Sequence, residues 1–367
     1  MKILVLTAFY PIPNGTHERM FVHVRNKYYQ KNGVDVTVLN FDAKENYEID
    51  GIPVVTLSAY KQSHVHYDIA VSHSANLRNH YLFLKKNYSD FPRLVFFFHG
   101  HEVLYLCKDY PKPYGYLFTA KWYRRLAQQL YDMAKIGLWR SFYKRLSCVS
   151  DYVFVSNWLL ERFKKNTGLT EQMLNNRCHV INNSVGAIFE TESYDAAAEK
   201  KYDYITIRSN IDGSKYCVDL VCQIAERNPE LKFLLIGKGK YFEYNSLPPN
   251  VEWISKTLSH EDMIGYINSS KCALMPTRED TQGVMTCELA TFGIPVITSD
   301  IAVCHEMFDG LKNILYINNE DVNFNLTQLS SNYFDRITAK KTDRFFAVNT
   351  ISKEISLYRM ICNNWNK

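Results

Sequence analysis

No run of apolar residues in this 367-residue chain approaches the length of a membrane span. The longest, such as Leu94 to Phe98, are a fraction of the roughly 20 residues a helical span needs. The chain also lacks paired cysteines. Its nine cysteines are scattered, with no CxxC step and no Cys/His cluster at zinc spacing. This excludes a disulfide framework and fits a reducing compartment. Cys217 and Cys222, the nearest pair, read as core residues of a helix. Charge of one sign is also scarce. A net charge of +5 is too mild for a dedicated nucleic-acid binder, though it permits anionic ligands or an anionic membrane surface. No GxGxxG follows the first apolar run and no GxxxxGK[ST] occurs anywhere, which argues against a dehydrogenase and a P-loop enzyme. The opening residues MKILVLTAFYP are cut short by Pro11 and Pro13 and read as a buried strand rather than a signal peptide.

What the chain does have is alternation. Short apolar runs are expected as strands at Ile3–Ala8, Asp35–Phe41, Ile69–Ser72, Leu94–His99, Tyr152–Ser156 and His179–Asn182, with helical patterns between them, the first over His17–Lys31. The pattern restarts near residue 200: strands at Tyr204–Arg208, Lys232–Ile236, Val251–Ile254, Cys272–Pro276 and Val296–Ser299, with a helix over Lys215–Asn228. Strands alternating with helices predict parallel sheets covered on both faces. The polar stretch Val185–Tyr202 fits an interdomain linker. The expected organisation is therefore two doubly wound α/β domains, 1–190 and 200–345, followed by a helix within 346–367 that can pack on either domain, including by crossing back to the first. Two such domains facing one another create a central cleft at their strand ends, where ligands bind.

One stretch carries most of the functional signal: CALMPTREDTQGVMTCELATFGIPVITSD, residues 272–300. A strand stops at Pro276, a polar loop follows, and a helix from Val284 to Phe292 ends at Gly293, with Pro295 barring its continuation. The loop thus delivers backbone N–H groups at a helix N-terminus, which attracts anions and sugar oxygens. Gly283 allows close approach to the backbone. Asp280 and Glu288 stand with seven residues between them. A carboxylate can accept two hydrogen bonds from a ribose diol; by spacing alone, both could equally be solvated carboxylates near a helix start.

This stretch resembles the signature of glycosyltransferase family 4, retaining enzymes of the GT-B fold: two acidic residues with seven between them, a small apolar run, Gly-x-Pro and a strand. The family has Glu at the first position where this chain has Asp280. The resemblance implies that Glu288 binds the nucleotide ribose, that Asp280 lies against the donor sugar, and that amides around Gly283 and Val284 face sugar and phosphate. Arg208 and Lys215 flank a short loop, Ser209–Ser214, and are similar to the family's diphosphate clamp; ordinary surface cations are the alternative. Gly237 begins a Gly-Lys-Gly turn that lies near the nucleotide base in the family. His99, after Phe96–Phe98, matches a histidine that faces the donor sugar and assists catalysis, and His73 is a further cleft candidate. Gly15, Thr16 and Glu18 resemble a Gly-Gly-x-Glu-Arg loop with its second glycine missing, a candidate for donor phosphate or acceptor.

The resemblance implies transfer of a sugar from a nucleoside diphosphate sugar to a hydroxyl acceptor with retention, no metal or other cofactor being required because cations neutralise the leaving diphosphate. A lipid-linked or polysaccharide glycan in bacterial capsule or surface-polysaccharide assembly is the expected acceptor. A nucleotide-sugar epimerase and a non-catalytic sugar-nucleotide-binding subunit are the alternatives. Residues 121–146 hold seven basic residues, the single acid Asp132, and interleaved Trp122, Tyr123, Trp139, Phe142 and Tyr143. A basic aromatic helix suits an anionic membrane surface, the alternative being a solvated helix with its aromatics turned inward. A cytoplasmic protein, peripheral on the inner face of the plasma membrane, is the corresponding expectation.

Overall fold

The computed structural model describes residues 1–13, 20–321, 326 and 341–363. The chain divides into two compact units. The first comprises Met1–Leu106, Leu130–Ser184 and Ala347–Lys367; the second comprises Cys107–Gln129 and Val185–Phe346. Neither unit is continuous in sequence. Residues 107–129, inside the span expected for the first domain, belong to the second. One of the boundaries, between Gln129 and Leu130, falls within the 25-residue helix Trp122–Leu146.

The first unit is built on an eight-stranded sheet. Its strands are β1 (Lys2–Thr7), β2 (Asp35–Asn40), β3 (Tyr47–Ile49), β4 (Ile52–Val55), β5 (Ile69–His73), β6 (Arg93–Phe98), β7 (Ser150–Phe154) and β8 (Cys178–Val180), in the order β3-β4-β2-β1-β5-β6-β7-β8. All neighbours run parallel except the β3–β4 hairpin. The central strands are apolar throughout because helices cover both faces; Ile3 to Leu6 and Val95 to Phe98 are buried at every position. The chain order reverses beside β1, which pairs with β2 on one side and β5 on the other.

The last helix, Ile351–Asn363, buries Ile351, Glu354, Ile355, Leu357, Tyr358 and Ile361, the spacing of one helical face. That face completes the first unit's core alongside Val22 and Tyr29 of the helix Met20–Lys31.

The second unit holds six parallel strands: β9 (Tyr202–Asn210), β10 (Phe233–Lys238), β11 (Val251–Ile254), β12 (Ser270–Met275), β13 (Val296–Ser299) and β14 (Ile314–Ile317), ordered β11-β10-β9-β12-β13-β14. Its order reverses between β9 and β12. The loops leaving those two strands, 211–216 and 276–283, therefore flank the switch point where doubly wound sheets bind ligands. The stretch expected as a linker is folded: Ala187–Thr191 form a short helix, and Val185 and Phe189 are buried.

Candidate functional site

Arg208 stands near the end of β9 and is 7% exposed. Its Nη2 donates to the Pro276 carbonyl at 2.6 Å, and its guanidinium lies over the Tyr216 ring at 5.1 Å. Its buried Nε has no hydrogen-bond partner among the described residues. Burial lowers the guanidinium's pKa, opposed by Cys217, Tyr216 and Asp280. A buried cation with an unmade hydrogen bond is costly unless an anion completes it. Gly237, at the end of neighbouring β10, holds the same place from the other side. A Cβ there would sit 2.3 Å from the Arg208 carbonyl oxygen, so only glycine lets the two strand ends close together.

Lys215 departs from the expected position. It lies in a short 3-10 turn, Ser214–Tyr216, and the following helix begins at Val218 after Cys217, whose φ is 56°. Its Nζ sits 4.8 Å from the Tyr216 ring centroid and 5.0 Å from that of Tyr110. The Lys215 carbonyl receives the Arg278 amide at 2.8 Å and the Thr277 hydroxyl at 3.0 Å. The two loops at the switch point are thereby tied to one another.

Arg278, which sequence reasoning passed over, forks onto Asp219 at 2.9 and 2.7 Å and donates to the Ser214 carbonyl at 2.8 Å. Tyr114 donates to the same Asp219 at 2.8 Å, and Tyr116 to Asp212 at 2.6 Å. Asp212 also accepts the Lys240 amide at 2.9 Å. Residues 107–129 thus brace the loop after β9. Nothing in their composition signals this, because the partners lie about a hundred residues away in sequence.

The loop after β12 leads to Asp280, whose Oδ1 accepts the Thr281 amide at 2.7 Å. Gly283 takes the left-handed conformation, φ 73°, and the helix Val284–Phe292 starts immediately after it. A Cβ on Gly283 would lie 3.5 Å from Asp280 Oδ2, so the carboxylate stands against the helix N-terminus. One turn further along the helix, Glu288 is 4% exposed. Its Oε1 accepts the Gly186 amide at 3.1 Å and faces His260 Nε2 at 3.4 Å. Burial raises the Glu288 pKa, with His260 and the Gly186 amide pulling it down.

In the first unit, His99 follows β6. His73 Nδ1 and His99 Nε2 are 3.2 Å apart, and the His99 ring packs on Phe21 at 4.6 Å. One nitrogen of that contact must donate and the other accept, so the pair is not doubly protonated while it holds. Glu102 closes the turn by accepting the His99 amide at 3.2 Å and the Gly100 amide at 2.7 Å. His101 is exposed, and its carbonyl receives Lys135 Nζ at 2.7 Å. Gly15, Thr16 and Glu18 lie outside the described residues.

The structure therefore gathers Arg208, Gly237, Asp280, Gly283 and Val284 around the switch point of one parallel sheet, with Glu288 on the same helix. Residues 205–329 match the family model described as glycosyl transferases group 1. The second unit carries a glycosyl transferases group 1 domain. Across its length the chain shares the GT-B fold of solved structures. It is similar to sucrose-phosphate synthase from Thermosynechococcus elongatus (TM-score 0.70, 11% identity, covering 98% of each chain). A glycosyltransferase from Rickettsia africae gives 0.68 and 13%, covering 99% of each chain. HepE from Anabaena, solved with UDP and glucose, gives 0.67 and 12%, covering 98% of this chain and 99% of that one. No curated protein matches it in sequence.

The helix Trp122–Leu146 differs from the membrane-facing expectation in one respect. Trp139 and Tyr143 are buried against Phe96 of the first sheet, Phe142 is buried against Tyr81 and Tyr88, and Lys135 is buried on Asp132 at 2.9 Å. Exposed apolar side chains on this helix include Trp122, Leu126, Leu130 and Met133, a stripe at helical spacing, with Tyr123, Tyr131 and Leu138 also exposed and Phe118 just before its start.

Proposed function

We propose that this protein is a retaining family 4 glycosyltransferase that moves a sugar from a nucleoside diphosphate sugar to a hydroxyl of a lipid-linked or polysaccharide acceptor. The observation that carries the reading is Arg208: a buried guanidinium with an unsatisfied Nε, set at the sheet's switch point beside a glycine turn and a helix N-terminus. A donor diphosphate supplies the missing acceptor. Arg208, Lys215 and the amides at Gly283 and Val284 take the phosphates, and Gly237 borders the base. Glu288 takes the ribose diol. Asp280 positions the sugar as positive charge develops on it, a role the family resemblance also gives to His99. The leaving phosphate, stabilised by the cations, accepts the acceptor's proton on the same face, so that no enzymic nucleophile and no metal is needed.

A lipid-linked acceptor accords with the exposed stripe Trp122–Leu126–Leu130–Met133 and the flanking Lys121, Arg124 and Arg125. Apolar side chains rimmed by cations suit the anionic inner leaflet of the plasma membrane.

A thermal-shift panel of UDP, GDP, ADP and their sugars tests the donor site. Ligand at a hundred times its Kd stabilises by about 2.7 kcal/mol. At least one nucleoside diphosphate is expected to raise Tm in wild type and to lose most of that effect in Arg208→Ala. No rise with any of them rejects the reading.

A further inference from the structure

Glu288 owes its orientation to elements outside its own helix. Its Oε1 takes the Gly186 amide at 3.1 Å and meets His260 Nε2 at 3.4 Å. Both contacts fall on one oxygen, and among the described residues no hydrogen bond is made to Oε2. The imidazole, 38% exposed, is held on its inner side. It is the first residue of the helix His260–Asn268, whose N-terminus is fixed by Ser259 accepting the Asp262 amide at 3.1 Å. Phe189 packs edge-on against the ring at 5.1 Å. Gly186 lies so close that a Cβ there would be 2.3 Å from Nδ1, so the backbone at 186 and the imidazole fit together only because residue 186 has no side chain.

We propose that His260 is a positioning residue for the donor site: with the Gly186 amide it clamps Glu288 Oε1 and leaves Oε2 to the ribose diol. This rests on the ribose reading of Glu288. The clamp has an electrostatic side. A carboxylate this buried is pushed toward its neutral form by desolvation, and His260 and the Gly186 amide oppose that push. A protonated Glu288 is a poor acceptor for two hydroxyls. The carboxylates on the elements around the imidazole are Glu288, Glu190 on the short helix Ala187–Thr191, and Glu261 and Asp262 on its own helix, with Cys287 and Tyr266 the other titratable side chains there; the one drawn into its Nε2 contact is Glu288.

The experiment is calorimetric titration with UDP, GDP and ADP between pH 5 and 8.5, using whichever binds wild type. Wild-type affinity falls at the acid end as Glu288 takes up its proton. His260→Gln moves that midpoint upward by about one pH unit, the scale of one neighbouring charge, and leaves affinity at pH 8.5 within about threefold, since the amide can still donate. His260→Lys, which retains a cation, returns the midpoint toward the wild-type value. His260→Asn replaces the glutamine variant if that protein does not fold. A midpoint unmoved in the neutral variant, or a loss of affinity equal at every pH, overturns the proposal. The ribose reading is tested separately with the 2′-deoxy nucleotide. A Glu288→Gln protein that prefers the ribonucleotide as strongly as wild type rejects that reading, whatever His260 does to the midpoint.

Discussion

Arg25 and Glu354, 329 residues apart in sequence, form a buried ion pair inside the first unit, Nε to Oε1 at 3.0 Å. Arg25 also donates to Asn183 Oδ1 at 2.7 Å and to the Phe21 carbonyl at 3.0 Å. Tyr29 donates to the same carboxylate. This network fixes the helix Ile351–Asn363 on the helix Met20–Lys31. Removing one partner strands the other charge without water, which costs about 3–5 kcal/mol, while replacing both by apolar residues of similar volume is about neutral. Arg25→Met and Glu354→Leu are each expected to lower the urea midpoint strongly, and the double variant to recover most of the loss. Additive losses in the double variant would show that the charges are not coupled.

Gly237→Ala places a methyl group 2.3 Å from the Arg208 carbonyl oxygen and 2.9 Å from Ile211 Cγ2. The strand end must shift, at about 1–3 kcal/mol, and Arg208 shifts with it. Both lower stability and weaker nucleoside diphosphate binding are expected. Gly265→Ala, in open space on the helix His260–Asn268, is the contrast. It is expected to stabilise by about 0.5–1 kcal/mol and to leave binding unchanged. Equal behaviour of the two variants in thermal melts would reject the close-approach account.

Asp280→Asn removes charge where the donor sugar is placed and keeps an oxygen for the Thr281 amide. The expected result is a fall of about 100-fold in kcat, equivalent to about 2.7 kcal/mol, with nucleoside diphosphate Kd within about threefold of wild type. A weakened Kd with normal kcat would move Asp280 from the sugar to the nucleotide.

Sedimentation with anionic vesicles tests the exposed stripe. Trp122→Ser with Leu126→Ser is expected to abolish binding, and neutralising Lys121, Arg124 and Arg125 to weaken it in a salt-dependent way. Trp139→Phe, inside the core, should leave binding unchanged. Undiminished binding by the stripe variant would end the membrane reading.

The sequence signalled what is local. The strands Val251–Ile254 and Val296–Ser299 and the helix Val284–Phe292 coincide with their apolar runs and glycine cap, because burial pattern and turn chemistry are written within a few residues. The hairpin β3–β4 was not legible: three- and four-residue strands with mixed polarity carry too short a period. Lys215 slipped out of its expected helix because Cys217 adopts a left-handed conformation that no residue preference announces. His260, Gly186, Arg278 and Tyr114 were missed for a common reason. Each matters through a partner brought close by the fold, and none stands in a spacing pattern of its own. The polar stretch after Ser184 looked like a linker because its few apolar residues are dispersed, yet Gly186 within it holds the ribose candidate.

The dispersal of the first unit over three stretches of chain bears on how the protein is made. Its opening strands leave the ribosome first, but Arg25 waits for Glu354. At roughly 5–20 residues per second, 329 residues of separation amount to about 16–66 s during which a buried arginine, Tyr29 and an apolar helix face have no partner. The second unit, interrupted only by residues 107–129 set apart from the rest, can be completed within that interval. The half synthesised first is the half finished last, and its unpartnered face is where a chaperone would find this nascent chain.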